Sequence, residues 1–348
     1  MTDELAAVLR EWGIAEARAA RAPSGNIADT WFVDPPGARR LVAQKMHPIF
    51  GAAVLEDMEA VTAHLAAHGL ATQRLVRTRA GALAATGSDG RLWRVLTYLD
   101  GHTVDRVAGP AMARAAAERV AQFHRALVDL DHTYRFVRAG VHDTAAHLAR
   151  LEAALGGEGP RALAEDILDA ARTIDLGVFA ALPRRRSHGD LKISNVLFAG
   201  DAGDADDADD ADAVALIDLD TLGHLPLPFE LGDAWRSWCN PLGENVEDAA
   251  FDLDVFAAAV SGYASAGEAT PAEVDRLVAG VETIALELAA RFCVDAFEDR
   301  YFGWDPRHFP SRREHNRVRA AGQLSLARKL GAVRGQAEAV VARAFARR

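Results

Sequence analysis

Two apolar runs, each tied to a polar cluster, constrain this chain more than any other feature. Ser187-His188-Gly189-Asp190-Leu191-Lys192-Ile193-Ser194-Asn195 runs into Val196-Leu197-Phe198, and a second run, Ala213 to Leu219, carries Asp218 near its end. Both runs have strand length and composition, and a polar stretch separates them, so they read as a hairpin. Asn195 then stands where the first strand begins and Asp218 where the second finishes.

Four residues separate Asp190 from Asn195. That is the spacing of the kinase catalytic loop, His-Arg-Asp-x-x-x-x-Asn, with Gly189 in the Arg position. Phosphoryl transfer leaves little covalent chemistry to the protein, which has to orient an acceptor hydroxyl and hold a metal against the phosphates. Asp190 suits the first task as the hydroxyl-orienting base. Asn195 and Asp218 offer the hard oxygen ligands that Mg²⁺ prefers. His188 is read as a residue that orients the loop rather than one that titrates in catalysis.

The chain has 348 residues, enough for two lobes with a substantial core. Its formal charge is −11, but seven aspartates fall between Asp201 and Asp212 with no basic residue among them. Most of the acidity therefore belongs to one self-repelling hairpin tip, expected to be mobile and to tolerate shortening. The tract lacks the spacing of an EF-hand calcium loop. No basic patch invites nucleic acid. No apolar run reaches membrane-spanning length and no basic-then-apolar leader opens the chain, so the expectation is a cytoplasmic protein without a membrane partner. Cys239 and Cys293 are too few and too far apart for a metal cluster and are expected reduced and buried.

Periodicity divides the chain near residue 100. Leu5, Val8, Leu9 and Trp12 predict a first helix stopped by Gly13. Strands are expected over Ala28–Val33 and Arg40–Met46, and a second pair around Gly87-Ser88-Asp89-Gly90, with one helix over Ala52–His68 between the pairs. Residues 1–100 thus form a small β-rich lobe with one main helix. Residues 101–348 form a mostly α-helical lobe, with helices expected over Ala111–Val128, His142–Leu155, Arg161–Ile174, Val246–Tyr263, Ala272–Phe302 and from Arg312 to the end. Tyr98-Leu99-Asp100-Gly101 is the candidate hinge, whose backbone could bond a nucleotide base. Lys45 stands where a kinase carries its phosphate-contacting lysine, and Glu56 or Glu59 on the following helix would pair with it. Ser24, Gly25 and Asn26 lie in the candidate turn over the phosphates.

Together these segments resemble the aminoglycoside phosphotransferase and choline kinase superfamily, and within it the N-acetylhexosamine 1-kinase branch. The resemblance is carried by Gly25-Asn26-Ile27-Ala28-Asp29-Thr30, Gln44-Lys45-Met46-His47-Pro48-Ile49-Phe50, Trp93-Arg94, His142-Asp143-Thr144, Ile217-Asp218-Leu219-Asp220-Thr221, Gly232-Asp233-Ala234-Trp235-Arg236, Arg291-Phe292, Tyr301-Phe302 and Asn316-Arg317. It implies an α+β, bilobal protein-kinase-like fold, ATP and Mg²⁺ as cofactors, and a small-molecule acceptor, a sugar or amino sugar. It also implies acceptor contacts from Asp220, Arg291, Tyr301, His142 and Asp143. The chain departs from the branch in having His188-Gly189-Asp190 where His-Asn-Asp is usual, and Lys45 where Arg is frequent. An aminoglycoside or choline-type amino-alcohol kinase is the alternative of the same class. A catalytically inactive nucleotide-binding module is the alternative from another.

Overall fold

The computed structural model describes residues 2–22, 29–200 and 212–346. The expected phosphate turn, with Ser24, Gly25 and Asn26, and all of the aspartate tract except Asp212 lie outside them. The chain divides into two compact bodies, Met1–Gly101 with Ala126–Val137 and Ala215–Leu222, and His102–Arg125 with Arg138–Val214 and Gly223–Arg348. The first body is sheet-rich and the second helical, as in the kinase-like fold of the phosphotransferases. It also takes up two short segments that the sequence pattern assigns to the helical part.

The first body opens with helix α1 (Asp3–Leu9), capped by the Thr2 side chain on the Leu5 amide, and the turn after it ends at Gly13 with φ of 77°. Such a positive φ costs glycine little. A six-stranded sheet follows, built from β1 (Arg18–Arg21), β2 (Asp29–Asp34), β3 (Leu41–Lys45), β4 (Leu75–Val76), β5 (Ala85–Thr86) and β6 (Leu92–Thr97). Its order is β1-β2-β3-β6-β4, with β5 beside β6, and all pairs are antiparallel. Helix α2 (Ala52–Ala67) connects β3 to β4.

Strand alternation divides the sheet into two apolar faces. Ala43, Trp93, Val95 and Val33 pack with Leu5, Val8 and Leu9 of α1. Met46 packs with Phe50 and with Val54 and Leu55 of α2. Consequently neighbours along β3 point to different helices, a parity that decides the fate of Lys45 below.

The second body holds α3 (Pro110–Ala126) up to its last residue, α4 (Thr144–Ala154), α5 (Arg161–Ala171) and α6 (Gly177–Ala180), then β7 (Arg184–Ser187), β8 (Val196–Phe198) and the first half of β9 (Ala213–Leu216). After β10 (Gly223–Pro226) come α7 (Leu227–Trp238), α8 (Leu253–Ala266), α9 (Pro271–Val274), α10 (Leu277–Glu298), α11 (Arg312–Ala332) and α12 (Arg334–Phe345). The hairpin expected around the aspartate tract forms from β8 and β9, and the Ala199 amide donates to the Asp212 carbonyl. Helix α10 is the central element, packed by α11, α7, α4 and α5.

Three helix boundaries differ from the expectation. Residues 246–252 are not helical, because the Asp252 side chain accepts from the Asp254 and Val255 amides and starts α8 there. The helix expected over 272–302 breaks between α9 and α10 and stops at Glu298, where Asp299 turns left-handed at φ of 56°. The C-terminal helix is interrupted at Val333, between α11 and α12. Helix α7 is missing from the sequence reading. Eleven of its residues are buried, and its polar residues Glu230, Asp233 and Arg236 recur at three-residue spacing among them. Its Gly232 lies against α10 so closely that a Cβ would meet the Gly280 backbone at 2.8 Å. Cys239 and Cys293 are both buried and free.

Candidate active site

In the second body, β7 pairs with β10 so that Ser187 faces Gly223, and the loop His188-Gly189-Asp190 emerges from that pair. Gly189 has φ of 80°. A side chain would strain this position, so glycine suits this loop where the kinase template has arginine. Three residues of α7 hold the loop. Glu230 accepts from the His188 amide (2.7 Å) and the Gly189 amide (3.0 Å), Asp233 accepts from the Leu191 amide (3.2 Å), and the Trp238 indole donates to the Leu191 carbonyl (2.8 Å). Glu230 is buried and also paired with His124 at 3.2 Å. Burial would raise its carboxyl, yet the bonds from His124 and the His188 amide hold it below the ordinary value.

Within the loop, Asp190 Oδ2 takes the Lys192 ammonium at 2.8 Å and the Asn195 amide at 3.2 Å. Among the described residues Oδ1 has no donor, which leaves it for an incoming hydroxyl. Burial would raise the Asp190 carboxyl. The Lys192 ammonium, by charge and by hydrogen bond, then His188 and Asn195, outweigh that and lower it. The Asn195 Nδ2 also donates to the Asp190 carbonyl at 2.8 Å. With its nitrogen committed within the loop, Asn195 keeps its oxygen as the atom a hard cation requires.

The first body carries the other candidate ligand. Asp218 sits in the left-handed region, φ 65° and ψ 56°, at the head of a 3₁₀ turn over Leu219–Thr221. A non-glycine residue there is uncommon and marks a backbone fixed by its surroundings. Two residues on, the turn is tied to the sheet by Arg94 of β6, buried, whose Nη1 and Nη2 donate to the two carboxylate oxygens of Asp220, the second at 2.9 Å. Arg94 Nε donates to Gln44 Oε1 (2.8 Å), and Gln44 Nε2 to Thr30 Oγ1 (3.2 Å). A polar chain thus crosses β2, β3 and β6 to the turn that holds Asp218. Burial opposes the charge of Arg94, but Asp220 and Asp218 more than restore it.

Two candidate residues have other partners here. Asp220, expected at the acceptor, has both oxygens on Arg94. Lys45, expected on the phosphates and paired with Glu56 or Glu59, has the opposite parity to Gln44 and faces α1. Its ammonium meets Glu4 (2.8 Å) and Asp89 (2.8 Å) and lies 5.6 Å from the Trp93 ring centroid. Glu56 instead pairs with Arg135 and Glu59 with Arg77. On the α2 face of the sheet the buried cation beside Gln44 is Arg94, visible in the sequence as Trp93-Arg94 but without a role assigned.

The candidate acceptor residues fall in two groups within the second body. His142, at φ of 51°, is buried with Nδ1 on Glu287 at 3.2 Å, and the Thr144 hydroxyl donates to the other Glu287 oxygen at 2.6 Å. Arg291 lies 3.9 Å from the same carboxylate. The His142 Nε2 is buried without a hydrogen-bond partner among the described residues. Burial works against the charge of His142, but Glu287 raises its pKa all the same. Asp143 is the N-cap of α4, accepting from the Ala146 amide. Tyr301 is exposed, its hydroxyl accepting from Arg138 at 2.6 Å. Asp295, which the sequence reading missed, places Tyr301 by accepting from the Arg300, Tyr301 and Phe302 amides and the Asn316 side chain.

At the candidate hinge, Tyr98 lies edge-on to Phe32 (5.8 Å) and beneath the Arg40 guanidinium (5.4 Å). Asp100 is exposed, and Gly101 has φ of 138°.

The model of the phosphotransferase enzyme family, APH, matches residues 18–269, and the chain belongs to that family. A homoserine kinase of Methylobacterium sp. (strain 4-46) is 30% identical over 217 residues, 62% of this chain and 61% of that protein. This chain therefore matches somewhat less than two thirds of the relative's length. An aminoglycoside phosphotransferase from Alicyclobacillus acidocaldarius superposes with a TM-score of 0.62 at 19% identity, over 96% of each chain. The amicoumacin kinase hAmiN, solved with AMP-PNP, Ca²⁺ and Ami, superposes with a TM-score of 0.57 at 12% identity, over 83% of this chain and 84% of that one. Among the described residues no helix is long and apolar enough to cross a membrane.

Proposed function

We propose that this protein is a small-molecule kinase that transfers the γ-phosphoryl group of ATP, with Mg²⁺, to a hydroxyl of a sugar, and that the acceptor is the anomeric hydroxyl of an N-acetylhexosamine. The observation that carries the kinase reading is Asp190, ionised by Lys192 and with one carboxylate oxygen uncommitted. The hydroxyl hydrogen would be accepted at Asp190 Oδ1. A carboxylate held below its ordinary pKa is a weak base, so its contribution is alignment of the nucleophile and acceptance of the proton late in a loose transition state. Asn195 Oδ1 and the Asp218 carboxylate each offer the kind of oxygen that Mg²⁺ prefers, an ion that would neutralise charge on the phosphates.

Because the Asp190 pKa is depressed, the residue stays ionised as pH falls through the usual carboxylate range, and kcat/KM should stay flat there. Lys192→Met removes the main lowering influence and leaves burial opposed by His188 and Asn195 only. The acid limb of its profile should move to higher pH; an unmoved limb would detach Lys192 from this role.

For the acceptor, the His142, Glu287 and Arg291 group supports a neutral polyhydroxyl molecule. Its one carboxylate is already shared by an imidazole, a hydroxyl and a guanidinium, so it has little to offer a polycation. A second reading, homoserine or a similar amino-acid alcohol, is favoured by Arg291, a fit for a carboxylate, and by the homoserine kinase match. ADP release with N-acetylglucosamine, N-acetylgalactosamine, homoserine, choline and kanamycin separates the two. The sugars should be turned over fastest, and a clear preference for homoserine or a cationic acceptor would replace the sugar reading.

A further inference from the structure

The first body contains a cluster away from all the residues discussed above. His64 and His68 stand one helical turn apart at the end of α2, and Asp129 reaches them from the segment 126–137. One ligand atom from each lies within 4.8 Å of the others. His64 Nε2 is 3.0 Å and His68 Nε2 3.6 Å from the same Asp129 Oδ1. These spans bracket the edge of about 3.4 Å expected between ligands of a tetrahedral ion with bonds of about 2.1 Å.

The hydrogen bonding of His68 points the same way. Its Nδ1 lies 3.0 Å from the His64 carbonyl, which can only accept, so Nδ1 carries the hydrogen. In the neutral ring the lone pair is then on Nε2, aimed at a carboxylate oxygen. Two electron-rich atoms facing each other call for a cation between them. A ring N–H donating to a backbone carbonyl is also the usual support of a metal-ligating imidazole.

The geometry points to a transition-metal site in which His64 Nε2, His68 Nε2 and Asp129 Oδ1 bind one divalent cation of the Zn²⁺ class, stapling α2 to the segment 126–137. Two imidazoles and one carboxylate match that class better than Mg²⁺ or Ca²⁺. Exposure of His68 and Asp129 leaves room for water at a fourth position. His64 Nε2 now holds a hydrogen between the Ala126 carbonyl (2.8 Å) and Asp129, and binding would require the neutral ring to carry that hydrogen on Nδ1 instead. The staple would add to existing fastenings of this segment. Buried Asp57, two to three turns earlier on α2, already accepts from the His132 ring (2.7 Å) and from the Arg135 and Phe136 amides (each 2.9 Å).

The test is a Zn²⁺ titration of chelator-treated full-length protein in excess Mg²⁺, which keeps oxygen-rich sites filled, read by calorimetry and by melting temperature. Co²⁺ absorption serves as an independent probe of coordination. One equivalent should bind and raise the melting temperature. His68→Ala and Asp129→Ala, both at exposed positions and expected to fold, should each weaken binding by more than about tenfold and abolish the tetrahedral Co²⁺ bands. Absence of a Zn²⁺ equivalent in the wild type, or unchanged binding in both variants, overturns the site. Neither outcome depends on turnover, so the kinase reading is tested separately.

Discussion

Asp190→Asn should lower kcat by about 10²-fold or more, while ATP affinity and melting temperature stay near wild type. The amide keeps the volume and can still accept at its oxygen, but it has no charge to receive a proton. Its Lys192 partner, about a third exposed, can turn to solvent. The scaffold of the loop does not depend on the carboxylate. Glu230, Asp233 and Trp238 hold the backbone at His188, Gly189 and Leu191 through main-chain atoms. Nucleotide binding by calorimetry beside steady-state kinetics checks both halves. A variant retaining a tenth or more of the rate would remove Asp190 from the reaction.

Arg94→Met should be the most damaging change to stability, because it leaves the buried Asp220 carboxylate without its guanidinium. Breaking such a pair from one side costs about 3–5 kcal/mol. The cost should extend to function, since the turn headed by Asp218 is tied to the sheet through that pair. Arg94→Met with Asp220→Leu removes both charges and should recover much of the stability. The tether is still absent, so the Mg²⁺ concentration for half-maximal rate should remain raised. Denaturant unfolding and magnesium titration of the two variants measure the two effects apart. If the double variant regained wild-type metal dependence, Arg94 would be a packing residue and not a positioning one.

These two residues show what the sequence made legible. The loop from His188 to Asn195 and the hairpin after it could be read directly, because a catalytic loop is local: spacing and an apolar run specify it within a dozen residues. The strands around Asp34 to Gly37 and Gly87 to Gly90 were equally readable from alternation and turn residues. Arg94 was seen but given no role, because its partner lies 126 positions away and no local pattern connects them. The partners of Lys45 were hidden for a related reason. Its position in the strand was right, but which face of the sheet meets α2 depends on Leu5, Val8 and Leu9 covering the other one. Helix α7 went unread although Glu230, Asp233 and Arg236 recur at three-residue spacing between apolar residues, and with it went the roles of Glu230 and Asp233. That stripe was the signal that could have found them, since charged groups inside a core are kept there by partners.

The claim that ties these observations together is acceptor-dependent phosphoryl transfer at Asp190. Phosphorus NMR of the protein with ATP, Mg²⁺ and N-acetylglucosamine tests it most directly. A phosphate ester should appear with ADP, coupled to the C1 proton of the sugar, and should be absent with Asp190→Asn. Nucleotide binding without any phosphorylated product, across the sugars, homoserine and amino alcohols alike, would contradict the account and leave a nucleotide-binding module without turnover.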